Sequence, residues 1–200
     1  MTMKDGFAIA PERLTYWLLS TITLNLLLLF WLIGASHMES EVTLWARYTA
    51  RISFWFFLLS YCASPLYRQW PNNKISRIIR RNRRNAGLGF ALAHFIHLPA
   101  ILLFYQVNEE KMGWVTLIFG GLAFVLILLM AVTSSDRAIK AITYRNWKSL
   151  HRFGAHYVAF IFAIAYTLGI MKDVYTILPA AAIWFVLILR IKEALKNRKS

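Results

Sequence analysis

Apolar residues run in six long blocks, and the stretches between them are dominated by arginine and lysine. The blocks cover residues 16–34, 52–66, 86–107, 114–132, 153–171 and 174–189. None shows the apolar–polar alternation of a membrane β-strand. Most are long enough to cross roughly 30 Å of hydrocarbon as a helix. A helix is the default there, because lipid offers no partners to backbone N–H and C=O groups. Blocks two and six are short, so flanking residues must complete them. The pattern predicts an all-α membrane protein, a bundle of six transmembrane helices forming one domain over residues 1–200. Block one is longer than the apolar core of a signal peptide and reads as an uncleaved helix.

Composition agrees with this pattern. The chain is 58% hydrophobic, with a mean hydropathy of +0.49, more apolar than an ordinary soluble domain. A formal net charge of +14 would suit nucleic acid if it were spread over a surface. Here it is confined to the gaps between apolar blocks, which excludes that partner and points to the anionic cytoplasmic leaflet. All but four of the 23 basic residues lie before block one, after block two, after block four or after block six. The opposite side keeps Arg47, Arg51, Lys111 and Lys172. Both termini are therefore expected in the cytoplasm. Ile75, Ile78 and Ile79 recur at helical spacing within the basic stretch after block two. That stretch reads as a charge cluster that sets topology, with an interfacial amphipathic helix as the alternative.

The chemistry concentrates in histidine. His94 and His97 lie inside block three, and His151 and His156 at the start of block five. Ionisable groups inside a bilayer are rare and by default mark function. Neutral imidazole is a common axial ligand of haem iron. Blocks three and five run in the same direction, so depth is counted at 1.5 Å per residue. His94 and His97 fall about 12 and 16 Å beyond residue 86, and His156 about 9 Å beyond residue 150. Depth thus favours His94 or His97 with His156 as a mid-membrane pair, with His151 at the cytoplasmic rim. Pro99 removes a backbone donor just past His97 and is expected to kink the helix. Gly87, Gly89 and Gly154 permit close approach of a helix or a porphyrin edge. Each histidine alone is more often a satisfied core residue, but four at converging depths favour a ligand site. His37, beside Glu39 and Glu41, reads as a solvated loop residue. Arg51 at the outer mouth of block two suits a haem propionate or a lipid phosphate equally. Trp147 reads as an interface anchor. Cys62, the only cysteine, forms no disulfide within the chain. No dinucleotide fingerprint, P-loop or cysteine cluster is present.

Three stretches resemble the ferric reductase-like transmembrane domain family, which includes the haem-binding membrane subunit of the bacterial protein-methionine-sulfoxide reductase system. Block two begins Tyr48-Thr49-Ala50-Arg51 and ends Ser64-Pro65-Leu66. Arg83-Arg84 and Gly87-Leu88 lead to His97-Leu98, and Thr133-Ser134 and Trp147 lead to Leu150-His151. The similarity runs from about residue 49 to 190. It implies a haem b protein that moves electrons, with His97 and His151 as matched ligands. Two-haem members carry a further histidine thirteen residues after the second of these, where this chain has Ile164. They also carry one fourteen residues before the first, and none is present here. One haem is therefore expected, with His94 and His156 as an alternative ligand set. Arg51 and Arg84 are the candidate propionate contacts.

The reading that follows is a haem b electron-transfer protein of the bacterial cytoplasmic membrane. Electrons would come from a quinol or a separate flavoprotein, with a quinone as a second cofactor, and pass to an outer-side metal ion or redox partner. An oxidoreductase activity would need that separate reductase. Two rivals stay open. One is a non-redox scaffold or assembly subunit that has lost haem. The other is a proton-coupled transporter, against which stand the lack of intramembrane carboxylates and of an inverted repeat.

Overall fold

The computed structural model describes residues 11–34, 41–109 and 111–199; His37 and Lys4 lie outside them. Among the described residues the chain is helical and has no strand. The helices are α1 (Pro11–Gly34), α2 (Glu41–Gln69), α3 (Lys74–Val107), α4 (Gly121–Val132), α5 (Asp136–Ile142), α6 (Tyr144–Gly169) and α7 (Ile177–Lys199). A π-helical turn, Thr116–Gly120, leads into α4, and a 3₁₀ turn, Val174–Thr176, leads into α7. Each of the six apolar blocks therefore falls within helix or a helical turn, apart from a residue or two at its ends.

By length and apolarity α1, α3 and the segment ending in α7 qualify as membrane-crossing. The turn-and-α4 rod joins them if it is taken with α5, from which it bends by 106°. Leu26, Leu27, Phe30, Leu102, Leu117 and Phe185 stand exposed around the outside, where only lipid accommodates so much apolar surface. The protein is an integral membrane protein. α2 and α6 are long, at 29 and 26 residues, but they carry charge: Arg47, Arg51 and Arg68 in one, Arg145, Lys148 and Arg152 in the other. α2 extends eleven residues before block two, which completes that short block.

The α2–α3 hairpin is the centre of the molecule. Its turn is built by Asn73, whose side-chain oxygen accepts from Ile75 N and Ser76 N at 2.8 and 3.3 Å. That caps α3 and satisfies two of its orphan donors. Ser76 Oγ closes the turn by donating to the Trp70 carbonyl. The basic stretch after block two is thus the start of α3, continuous with it, rather than a separate interfacial helix. α3 also runs unbroken through Pro99.

The two helices pack antiparallel in one register. Gly87 faces Ser60, and Gly89 faces Phe56 and also Thr21 of α1. Ala63 and Ala93 are fully buried, which keeps the backbones close. Against this pair α6 and α7 bring Phe162, Tyr166, Ala159, Ala163, Ile183 and Val186. Phe54, Phe57, Phe90 and Phe162 meet at centroid separations of 5.1–6.2 Å in edge-on and tilted geometries, the arrangement favoured by aromatic quadrupoles.

Candidate functional site

The α3 histidines are held by α2. His97 Nδ1 lies 3.0 Å from Thr49 Oγ1, and His94 Nδ1 lies 3.2 Å from Ser53 Oγ. Thr49 and Ser53 are four apart and His94 and His97 three apart, so each pair shares a helix face. The antiparallel register then matches them crosswise. A hydroxyl has a single proton to donate. Thr49 donates its own to the Trp45 carbonyl, at 2.7 Å, and Ser53 to that of Ala50, at 2.9 Å. With those protons so placed, each hydroxyl oxygen accepts from an imidazole Nδ1–H. Each Nε2 is left as an unprotonated donor. Such an arrangement fixes the tautomer and ring orientation of a metal-binding histidine and raises its basicity.

His97 is buried and His94 half-buried. Their ring centroids lie 5.7 Å apart. His94 also packs against Phe90, Phe124 and Phe162, with Phe124 at 4.5 Å. The pair sits in apolar surroundings with no carboxylate in these contacts.

The α6 histidines are arranged differently. His151 Nε2 lies 3.1 Å from Thr133 Oγ1, whose proton goes to the Leu129 carbonyl. Here Nε2 is the nitrogen that meets the hydroxyl, and Nδ1 is the free one. Trp147 stacks on His151 at 4.5 Å, with its Nε1 buried and unpartnered. Trp147 thus faces inward onto a histidine rather than serving only as an anchor. His156 is exposed and meets Tyr61 edge-on at 5.8 Å.

The structure brings His94 and His97 together but sets neither α6 histidine opposite them. Phe162 is the α6 residue against His94. It lies six residues past His156, or about 9 Å further along the helix. The sequence-based depth count took both helices to start level. α3 extends further ahead of its apolar block than α6 does, which offsets them. The glycines differ as well. Gly87, Gly89 and Gly154 are closed over by Ser60, Phe56 and Met130, all side chains of neighbouring helices.

The two arginines have partners within the chain. Arg51 forms an ion pair with Asp173, between α6 and α7, and lies over the rings of Tyr48 and Tyr175. Arg84 pairs with Asp136 of α5 at 3.0 Å, while its Nε is buried without a partner. No cluster of three or more His, Cys, Asp or Glu suited to a metal ion occurs among the described residues. A bis-histidine haem needs only two such ligands. The donor set on α3 fits one side of haem iron, with apolar walls and a free Nε2. On the α6 side His151 would have to leave Thr133, or His156 turn inward.

Sequence reading did not single out Thr49 or Ser53 as functional. The signal was present: two hydroxyls spaced by four on one helix, and two histidines spaced by three on the next.

No family model matches the chain, and no solved structure matches it. The chain is 32% identical over 127 residues to the protein-methionine-sulfoxide reductase heme-binding subunit MsrQ of Azospira oryzae. The aligned stretch takes 60% of this chain and 51% of that protein, so the chain spans about half the length of this curated relative. The chain is related to that subunit, as the resemblance along residues 49–190 implied.

Proposed function

We propose that the chain, a relative of a heme-binding membrane subunit, is itself a haem b electron-transfer protein, a ferric reductase-like bundle of six membrane-crossing helices with cytoplasmic termini. The observation that carries this reading is the committed tautomer of His94 and His97, each with Nδ1–H on a hydroxyl and Nε2 free. A histidine kept for packing also satisfies its N–H, but here the arrangement recurs on two adjacent turns with Nε2 left free both times. The relationship to the heme-binding subunit and the one-sided distribution of Arg and Lys support the same reading.

Haem b supplies a one-electron carrier whose potential follows its axial ligands and the surrounding dielectric. The chain's residues supply the rest. Thr49 and Ser53 hold the two imidazoles in orientation. His97 and His94 are the α3 ligand candidates, and His151 and His156 the α6 candidates. Phe54, Phe57, Phe90 and Phe162 exclude water from the interior. Arg51 and Asp173 close the outer end by tying α2 to the α6–α7 connection. Arg84, with its unpartnered Nε, remains a candidate propionate contact. Electrons enter from a quinol or a separate flavoprotein on the cytoplasmic side, with a quinone as a second cofactor. They leave to a metal ion or a redox partner on the outer side. The reductase of which the Azospira relative is a subunit exemplifies that partner. The location is the bacterial cytoplasmic membrane.

One observation favours a scaffold without haem: Phe162 already fills the position across from His94. Visible spectra of the detergent-purified chain, oxidised and dithionite-reduced, decide between the two. A Soret band with a sharp reduced α-band is the expected result. A flat spectrum after haem supplementation overturns the electron-transfer reading and leaves the scaffold.

A further inference from the structure

The end of the bundle that carries the basic turns of α3 gathers four guanidinium groups around one carboxylate. Arg80 and Arg83, three apart on α3, both donate to the same oxygen, Ser64 Oγ of α2, at 2.5 and 3.0 Å. Ser64 is buried. From α7, Arg190 lies over the Tyr61 ring at 3.9 Å and donates to the Tyr61 carbonyl at 2.6 Å. Its Nε is buried with no partner among the described residues. Arg68, at the end of α2, pairs with Glu193 of α7 at 2.9 Å. Arg83 lies within electrostatic reach of Arg190, Arg80 and Arg68.

Two cations on one neutral hydroxyl is an unbalanced arrangement. Like charges this close repel, and the repulsion grows as water is excluded. Glu193 gives one oxygen to Arg68 and lies within electrostatic reach of Arg190, and its other oxygen is buried without a partner among the described residues; Arg80 and Arg83 have no carboxylate in these contacts. An anion with several oxygens would supply what Ser64 cannot. Phosphate suits the planar fork of arginine in particular.

The surroundings decide which phosphate. Tyr67, Trp70, Ile75 and Ile78 are exposed on the same end of the hairpin, as interfacial residues are at the boundary of water and hydrocarbon. A shallow cleft of about 70 Å³, lined by Trp17, Leu59, Ile78, Ile79, Asn82 and Ala86, opens at the same end of the hairpin on its α1 side. A soluble phosphate compound has no use for such an apolar rim, whereas a lipid lays its acyl chains along it. We infer that this cluster is a binding site for an anionic phospholipid, with Arg80, Arg83 and Arg190 on the phosphate and the acyl chains along the exposed apolar side chains at this end of the hairpin. The inference rests on the membrane-spanning reading but not on haem.

Native mass spectrometry of the full chain, delipidated in detergent and titrated with phosphatidylglycerol or phosphatidylcholine, tests it. One phosphatidylglycerol should be retained in preference to phosphatidylcholine. At about 1 kcal/mol for each arginine near the surface, the double variant R80Q/R83Q should bind it about 30-fold more weakly. Each single variant should lose about 5-fold, and these carry the test if the double variant does not fold. The control R145Q/K148Q, which removes two charges from α6, should bind as the unaltered chain does. Equal retention of phosphatidylcholine overturns the site. So does an equal loss in the control, which would reduce it to general charge. Displacement of the lipid by excess inorganic phosphate would assign the cluster to a soluble phosphate instead.

Discussion

The two histidine pairs make an instructive contrast. Both consist of one residue more and one less buried, on long helices, with a hydroxyl or an aromatic ring at hand. On α3 each imidazole meets a hydroxyl of α2 through Nδ1, and the outward nitrogen is free. On α6 one imidazole spends Nε2 on Thr133 while the other is exposed beside Tyr61. The residue type is the same, but the α6 pair sits at another level of the bundle, with Phe162 opposite His94. The difference lies in the neighbouring helix. α2 is packed so closely on α3 that its hydroxyls, their own protons committed to the carbonyls one turn back, can act only as acceptors. α4 touches α6 through a flexible methionine at Gly154 and offers a single hydroxyl near the rim. The tight helix pair determines a tautomer twice; the looser pair does so once and with the opposite nitrogen.

The largest effect that would break this contrast comes from the histidines themselves. His97→Ala should abolish the haem spectrum, and His94→Ala should weaken or abolish it. Of His151→Ala and His156→Ala, one at most should match the loss in His97→Ala. Absorption retained in both α3 variants and lost in an α6 variant would show that the prepared tautomers on α3 have no bearing on ligation.

A smaller change sharpens the comparison without touching an imidazole. Thr49→Val keeps the shape of the side chain and removes the hydroxyl that meets His97 Nδ1. Loss of such an outer partner typically costs about 10–100-fold in affinity. Haem titration of the apo-protein should show a weakening in that range, with a changed reduction potential. Thr133→Val, the corresponding change beside His151, should have less effect, because His151 is only half-buried where His97 is buried. Equal effects would place the two hydroxyls on the same footing.

Much of the fold was legible in the sequence because hydropathy alone carries it: all six apolar blocks emerged in helix or helical turns. What hydropathy missed has a common cause. Residues 41–51 of α2 carry Glu41, Arg47 and Arg51, and residues 144–152 of α6 carry Arg145, Lys148 and Arg152, so no unbroken apolar run announces that the helix continues through them. The relative depth of α3 and α6 depends on those continuations, and the misplaced pairing of His156 followed from counting each helix from the edge of its apolar block. Arg51 was legible as a residue in need of an anion, but its partner Asp173 is 122 residues away, beyond any local pattern. Thr49 and Ser53 lay in plain view. They were passed over because hydroxyls in a helix usually bond back to their own carbonyls, and these do so while also receiving the imidazoles.

The smallest effect tests the packing difference that underlies the contrast. A Cβ added at Gly89 would stand 3.0 Å from Phe56 Cδ1 and 3.2 Å from Thr21 Oγ1. Phe56 is buried, and Thr21, fully buried and β-branched, is anchored to the Trp17 carbonyl. Neither can swing away, so α1 or α2 must move, an overpacking cost of about 1–3 kcal/mol. Better helix propensity returns about 1 kcal/mol of that. Gly89→Ala should therefore lower the Tm, by about 2–4 °C for each kcal/mol of net cost. At Gly154 the added Cβ would come closer still, 2.8 Å from Met130 Sδ. Distance alone would make this the worse substitution. Methionine is unbranched and adaptable, however, and can turn its thioether aside. Gly154→Ala should then leave the Tm unchanged or raise it slightly through the same gain in propensity. Thermal melts of the two purified variants, followed by helical circular dichroism, give the order directly. If Gly154→Ala is the more damaging, the α4–α6 contact is as rigid as α2–α3, and slack packing no longer accounts for the different settings of the α6 histidines.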